Sequence, residues 1–289
     1  MRARRPVLLL VVALLAGLPA LADPPQRICS VSLAGDELLA LLVPEERVVC
    51  VSTLVDDAAM SNAADHFDPS VVRLGARIEP VLSRRPDLVL AAPWNRGGFL
   101  ELLEQADVPA AILRPAVDFD DIRASVRRVG RLTGAEARAE EVLARLDTRL
   151  ERIDRRLRGV SRRPRVLSFS HMIVAGSGTT VDTLIRRAGG RNAGAEAGLE
   201  GHAKVSIERL LTIDPDVLLL GFDADSSRER LFEAYPHLAA LRAVREDRVI
   251  VLPPRQLTTV TPHLVDGVEA VARALHPERM AGGGSGDPP

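Results

Sequence analysis

The sequence predicts an α/β protein of two Rossmann-like lobes, each built on a parallel sheet, joined by one long α-helix. Three observations carry this. Short apolar strands alternate with helical segments in two separate series along 289 residues, and such alternation argues for parallel sheets with helices on their faces. "EPVLSRRPDLVL" (Glu79 to Leu90) and "ERLLTIDPDVLL" (Glu208 to Leu219) repeat one local grammar, once in each series. Between the series, Asp120 to Arg158 reads as nearly uninterrupted helix, broken only at Gly134.

The elements follow in chain order. Arg2, Arg4 and Arg5 precede an apolar run from Val7 to Leu15 and a small-residue site, Ala20-Leu21-Ala22. This predicts a signal peptide over residues 1–22, cleaved after Ala22, and an exported, periplasmic chain. The run is too short for a bilayer, which takes roughly 20 apolar residues, so no membrane insertion is expected. No Cys follows the cleavage site to carry a lipid anchor.

A first lobe, 23–119, opens with the strand "ICSVS", the helix "GDELLALL" and the strand "RVVCVS". Aligning the strand ends at Ser32 and Ser52 sets Cys50 opposite Ser30 and turns Cys29 to the other face. That favours unpaired thiols, although an oxidising compartment leaves a Cys29–Cys50 disulfide open. His66 falls in a following stretch read as disordered or a flap. In each repeated segment a helix stops before Pro, the Pro-Asp pair turns the chain, and an apolar strand buried on both faces follows. Glu79 and Glu208 fall in the first helical turn, where the dipole favours an acid, so both are read as structural.

The linking segment, 120–159, places Leu143, Leu146, Leu150, Ile153 and Leu157 on one helical stripe. Gly159 stops it. A second lobe, 160–277, runs from "PRVLSFS" to "PHLVDGVEAVARALHP", and the tail, 278–289, is expected to be flexible. Basic and acidic residues number 38 and 39, a balance that gives no electrostatic reason to expect nucleic acid as a partner. Only one lysine, Lys204, occurs, and it is read as codon bias toward Arg.

Taken together, "RICSVSLAGDELLALL", "ERVVCVS", "GARIEPVLSRRPDLVLA", the long helix, "GSGTTVDTLIRRAGGRNA", "GHAKVSIERLLTIDPDVLLL" and the closing "LPP" strand resemble the class III substrate-binding proteins of ABC importers. That family carries vitamin B12, ferric siderophores and haem. The resemblance covers Arg27 to His276 and rests on order and spacing, since no single motif is diagnostic. It implies a ligand cleft between two lobes, small opening motions, an ABC permease with its ATPase as partner, and no catalysis or cofactor. It also implies one permease-docking carboxylate per lobe. Here Gly97 and Gly98 stand at the first-lobe position, leaving Glu101 as the candidate there and Asp225 and Glu229 in the second lobe.

Ligands of open parallel sheets bind beyond the carboxyl ends of the strands. That rule selects Ser32 to Asp36, Ser52 to Asp57 and Pro93 to Arg96 in the first lobe. In the second it selects Ser170 to Met172, Gly221 to Asp223 and Arg255 to Thr259. The ligand-binding candidates are Ser32, Ser52, Thr53, Trp94, Asn95, Arg96, His171, Phe222, Arg255 and Thr258. Trp94, the only tryptophan, suits the face of a macrocycle, and in the vitamin B12 binders that the chain resembles a tryptophan falls in the corresponding loop. A lid over the sheet edge is its alternative role. Arg96 and Arg255 suit carboxylate or amide groups of a chelate, and His171 suits a metal or haem contact. Tyr235, the only tyrosine, reads as helical and away from a strand exit.

No set of three or four converging ligands for a bare divalent ion falls on these loops. "AGSGTT" lacks the Lys of a phosphate loop. No nucleophile elbow occurs, and Ser168 or Ser170 beside His171 is too local for a triad. The cargo that the resemblance implies is a cobalamin, siderophore or haem chelate. The alternatives are a bare divalent ion, another apolar cargo, or a secreted two-lobe enzyme acting from the same cleft.

Overall fold

The computed structural model describes residues 23–75, 77–95, 98–221 and 232–281. The first sheet is built from β1 (Ile28–Ser30), β2 (Val48–Ser52), β3 (Val72–Leu74), β4 (Leu88–Ala91) and β5 (Ala110–Ile112). Their order is β3-β2-β1-β4-β5, with every pair parallel. The second holds β6 (Arg165–Phe169), β8 (Arg191–Asn192), β10 (Val217–Gly221) and β11 (Val249–Leu252), ordered β11-β10-β6-β8 and again parallel. An antiparallel ribbon of β7 (Ile173–Ala175) and β9 (His202–Lys204), which the sequence did not predict, folds back beside β6. The helices used below are α1 (Leu33–Leu42), α2 (Ile78–Ser83), α3 (Gly98–Gln105), α4 (Phe119–Thr133), α5 (Glu136–Leu157), α6 (Thr180–Arg187), α7 (Ala193–Glu196), α8 (Ile207–Ile213), α9 (Arg242–Arg245), α10 (Pro254–Leu257) and α11 (Leu264–Leu275).

The repeated Pro-Asp segments do the same work in both lobes. Asp87, at the entry to β4, donates its N–H to the Arg27 carbonyl (2.9 Å). Its carboxylate accepts from the backbone N–H groups of Gln26 (2.7 Å) and Arg27 (2.9 Å). The Arg27 guanidinium in turn donates to the carbonyls of Arg84 and Arg85 at the end of α2. Asp216, at the entry to β10, repeats this: its N–H donates to the Arg165 carbonyl (2.9 Å) and its carboxylate accepts from the Arg165 N–H (2.8 Å). The Arg165 guanidinium donates to the carbonyls of Ile213 and Asp214 at the end of α8. Each clamp satisfies helix-terminal carbonyls that have no partner within the helix. The residues before the two prolines, Arg85 and Asp214, both have positive φ (50° and 34°).

The predicted pairing of β1 and β2 needs correcting. Ile28 lies opposite Val48, but the register shifts at the next residue and Cys29 lies opposite Cys50. This bulge brings the two Cα atoms to 4.7 Å and the sulfurs are bonded. The regular alternation used above assumed an unbroken register, and one extra residue on β2 reverses its outcome. The 53–71 stretch also differs from a flap: Val55, Ala63, Phe67 and Val71 are buried in the main core. Tyr235 lies just before a 3₁₀ turn (Pro236–Ala240) rather than within a helix, and its ring meets Phe169 edge-on with centroids 5.3 Å apart.

The linking segment is two antiparallel helices. Gly134, with φ 66°, caps α4 and lets the chain reverse into α5. Arg123 pairs with Asp147 (2.6 Å) and Arg127 with Glu140 (2.8 Å) across them. All five residues of the predicted stripe on α5 are buried. At 1.5 Å per residue α5 spans roughly 33 Å. It is bonded to the first lobe through Arg138 and the Leu41 carbonyl (3.0 Å). On the second-lobe side, Arg149 meets Asp266 (2.7 Å) and Glu269 (2.9 Å) of α11. One apolar core containing Ile28, Leu90, Leu143, Ile153, Val166 and Leu219 runs from sheet to sheet beneath it. At about 2 kcal/mol per buried aliphatic side chain, burial of the α5 stripe against α4 and the two lobes contributes on the order of 10 kcal/mol to folding.

Candidate functional site

The strand exits of the first lobe begin with Ser32, the N-cap of α1, whose hydroxyl accepts from the Gly35 N–H (3.3 Å). Gly35 is required here, because a Cβ would stand 2.4 Å from Ser30 Oγ. Asp36 follows, fully buried, and accepts from the Ser52 hydroxyl (2.5 Å) and the Ser52 N–H (3.1 Å). Burial pushes its carboxyl up to about 6, against the lowering effect of its Ser52 and Ser30 hydrogen bonds. The polar groups of Ser32 and Ser52 are therefore engaged within the protein. Asn95 is too: it is buried and its Oδ1 accepts from the Ala92 N–H (2.8 Å). Facing solvent at these exits are Thr53, Leu54 (48% exposed) and Trp94 (75% exposed), with Asp56 and Asp57 beside them. Leu54 follows β2 and Trp94 follows β4, the two strands flanking β1. Together they give the first lobe an apolar rim.

In the second lobe the exit of β6 is a two-residue hairpin. Ser170 N–H donates to the Ile173 carbonyl (3.0 Å) and Ile173 N–H to the Ser170 carbonyl (2.8 Å). The two turn residues, His171 (φ 50°) and Met172 (φ 64°), both sit in the left-handed region. Such turns favour Gly and Asn, so a His-Met pair here is held against its backbone preference. His171 is exposed, with Nδ1 3.2 Å from Ser170 Oγ. Beside the turn, Lys204 faces Ile173 across the β7–β9 ribbon. Gly176 continues from the ribbon toward α6; a Cβ there would meet the Leu199 carbonyl at 2.1 Å, so "AGSGTT" is a tight strand-to-helix turn.

The lobes also touch at Glu37, to which sequence reasoning gave no role. Glu37, on α1 and 1% exposed, accepts four hydrogen bonds. Asn62 N–H (3.0 Å) and Asn62 Nδ2 (2.9 Å) come from the 53–71 segment of the first lobe. Thr259 Oγ1 (2.8 Å) and Thr261 Oγ1 (2.5 Å) come from the second. Arg255 lies in the same seam, its N–H donating to the Ala59 carbonyl (3.0 Å) and its carbonyl accepting from Asn62 Nδ2 (2.9 Å). Its buried Nε has no hydrogen-bond partner among the described residues. The hydroxyl of Thr258 donates to the Pro254 carbonyl (3.0 Å). A signal for Glu37 was present: two adjacent acids interrupt the aliphatic helix "LAGDELLALL", which is buried on several sides.

Arg96, Phe222, Asp225, Glu229 and the signal segment lie outside the described residues. Glu101 is exposed in the first turn of α3. Two concavities, of about 510 and 400 Å³, lie at the other ends of the sheets. Val160, Arg162 and Val249 line one, and Arg27, Val48 and Val72 the other. Position relative to the strand exits, not concavity alone, marks the candidate site.

Two α/β lobes with parallel sheets, a long helix packed against both, and a hydrogen-bonded seam between their strand-exit segments are what the geometry shows. The profile of the family described as periplasmic binding protein matches residues 28–256, and the chain belongs to that family. It is 26% identical over 267 residues to a cobalamin-binding protein of Halobacterium salinarum, covering 89% of this chain and 71% of that one. Its fold matches the structure of a periplasmic heme-binding protein from Pseudomonas aeruginosa, with TM-score 0.74, 29% identity, and coverage of 88% and 93%. It also matches the periplasmic vitamin B12-binding protein of Vibrio cholerae, with TM-score 0.69, 23% identity, and coverage of 87% and 97%. The last likeness is one of fold alone. Among the described residues no helix is long and apolar enough to cross a membrane.

Proposed function

We propose that this protein is exported, with cleavage after Ala22, and captures a bulky metal chelate between its lobes for delivery to the permease of an ABC importer. The cargo is a cobalamin, a haem or a ferric siderophore, and the protein performs no chemistry on it. The carrying observation is Trp94: the only indole of the chain stands 75% exposed where β4 ends, and an aromatic face so placed suits stacking on a macrocycle. Leu54 extends that apolar surface. His171 and Arg255 supply polar or metal contacts from the second lobe, with Arg96, Phe222, Thr53 and Thr258 as further contacts. Glu101, Asp225 and Glu229 serve docking to the permease. Family membership supports this reading, as do relatives named for cobalamin and haem. The alternative, a bare divalent ion, would need three or four converging ligands.

Trp94 itself supplies the test. Its emission is followed while cyanocobalamin, haemin or a ferric siderophore is titrated in. One of them should quench it at one equivalent, and Trp94→Ala, which has no indole emission and is followed by equilibrium dialysis alongside the native chain, should weaken that ligand by about 1 kcal/mol or more. Tight binding of a bare divalent ion, with no response to any of the three chelates, would overturn the reading.

A further inference from the structure

We propose that Glu37 is an interlobe latch that positions Arg255 for cargo recognition, deepening the function proposed above and resting on it for the cargo half alone. A carboxylate that is 1% exposed is tolerated only when its acceptor sites are filled. Here they are filled equally from the two lobes. Oε1 takes both donors of Asn62, and Oε2 takes the hydroxyls of Thr259 and Thr261. The two threonine hydroxyls are also within 2.9 Å of each other. One side chain therefore closes two walls of the seam at once.

Arg255 is the residue those walls grip. Its N–H is held by Ala59 and its carbonyl by Asn62, so both sides of its peptide backbone are anchored to the opposite lobe. The contrast lies in its side chain. Backbone groups all around Arg255 are bonded, while its buried Nε is left without a partner among the described residues. A buried donor without an acceptor is costly, and here it marks a guanidinium that the protein does not itself hold; Arg255 is only half-buried, so an oxygen of the cargo, whether an amide carbonyl or a carboxylate, is met by its outer N–H groups. Glu37 touches no cargo in this arrangement. It acts through Asn62 and the 255–261 segment, and is a positioning residue.

The test uses the whole exported chain and pairs Thr259→Val/Thr261→Val, which deletes both hydroxyls at nearly constant shape, with Thr259→Ser/Thr261→Ser, which keeps them. Without cargo, amide hydrogen exchange over residues 59–62 and 255–261 should speed up in the Val pair and stay near the native rate in the Ser pair. With cyanocobalamin and haemin as probes, the Val pair should lose roughly tenfold in affinity for whichever is bound, and the Ser pair should retain it. Adding Arg255→Ala to the Val pair should cost no more than Arg255→Ala alone, because both act on one contact. Native exchange rates in the Val pair would overturn the latch. Additive losses would overturn its action through Arg255. If the native chain binds neither probe but the exchange pattern appears, the latch stands and the cargo reading above fails.

Discussion

The two lobes fasten the same points with different chemistry. Each opens with a central strand, β1 or β6, flanked by a Pro-Asp strand on one side and a second strand on the other. In each, an acid near the start of the first helix bonds to the last residue of that second strand: Asp36 to Ser52, and Asp182 to Asn192. There the likeness ends. The first lobe has a five-residue β2 and a disulfide to β1. The second has only the two-residue β8, and depends on one buried side chain, Asn192. Its Nδ2 donates toward the Ala175 and Gly176 carbonyls and Asp182, while its Oδ1 accepts from the Gly194 N–H. Asp182 has Arg186 within 3.3 Å; Asp36 has no ion-pair partner among the described residues. A long strand can be stapled covalently, whereas a short one needs a side chain that reaches several neighbours.

The largest test of this difference is reduction. The disulfide closes a sequence separation of 21 residues, and losing it should cost about 3.5 kcal/mol. Denaturant midpoints with and without reductant measure this, and equal midpoints would remove the staple from the comparison.

Next comes Asp36. Its folded pKa of about 6 lies above the ordinary aspartate value of 3.8, so the native state keeps a proton that the unfolded chain has lost between these values. Its contribution is therefore greatest below about pH 4 and is lost as pH rises through 6, a change of about 3 kcal/mol. Stability of the native chain minus that of Asp36→Asn, followed from pH 4 to 8, should decline across this window and then level off. A flat difference would mean that Asp36 is charged and accommodated.

Asn192→Leu should cost about 2 kcal/mol, because it strands the Gly194 N–H and two carbonyls while preserving bulk. A thermal scan showing no loss would mean that the second lobe is held elsewhere.

The smallest effects belong to the shared clamps: Asp87→Asn and Asp216→Asn should each cost about 1 kcal/mol. For Asp216, burial pushes the carboxyl up, but the Arg165 N–H and the Arg242 guanidinium outweigh it and hold it below the usual range. Its stabilisation is thus present above about pH 4 and disappears as pH falls through the lower folded value. Acid titration of native and Asp216→Asn protein should converge there. Unequal costs at neutral pH would show that the repeated grammar hides unequal roles.

The architecture was legible because it rests on periodic, local signals. The α5 stripe, the Pro-Asp turns and the cap at Gly134 all follow from spacing and backbone preference. Asp87 and Asp216 were quoted as turn residues, yet their hydrogen bonds to Gln26, Arg27 and Arg165 join positions about 50 to 60 residues apart, which no local pattern reports. The Cys29–Cys50 bond was left open, with free thiols favoured, for a related reason, since one bulge defeats an alternation argument. At the site, Trp94 and His171 could be placed by strand exits. The role of Glu37 could not, because its partners Thr259 and Thr261 lie more than 220 residues away. Ser32, Ser52 and Asn95 were chosen by position, and only the side-chain geometry shows their polar groups already engaged.

Lys204, at the tip of the ribbon beside the His171 turn, is the only lysine in the chain. Apart from the amino terminus, it is the chain's one primary amine. Amine-reactive coupling to a sensor surface would therefore tether much of the population through that corner of the second lobe, turning the strand exits toward the support.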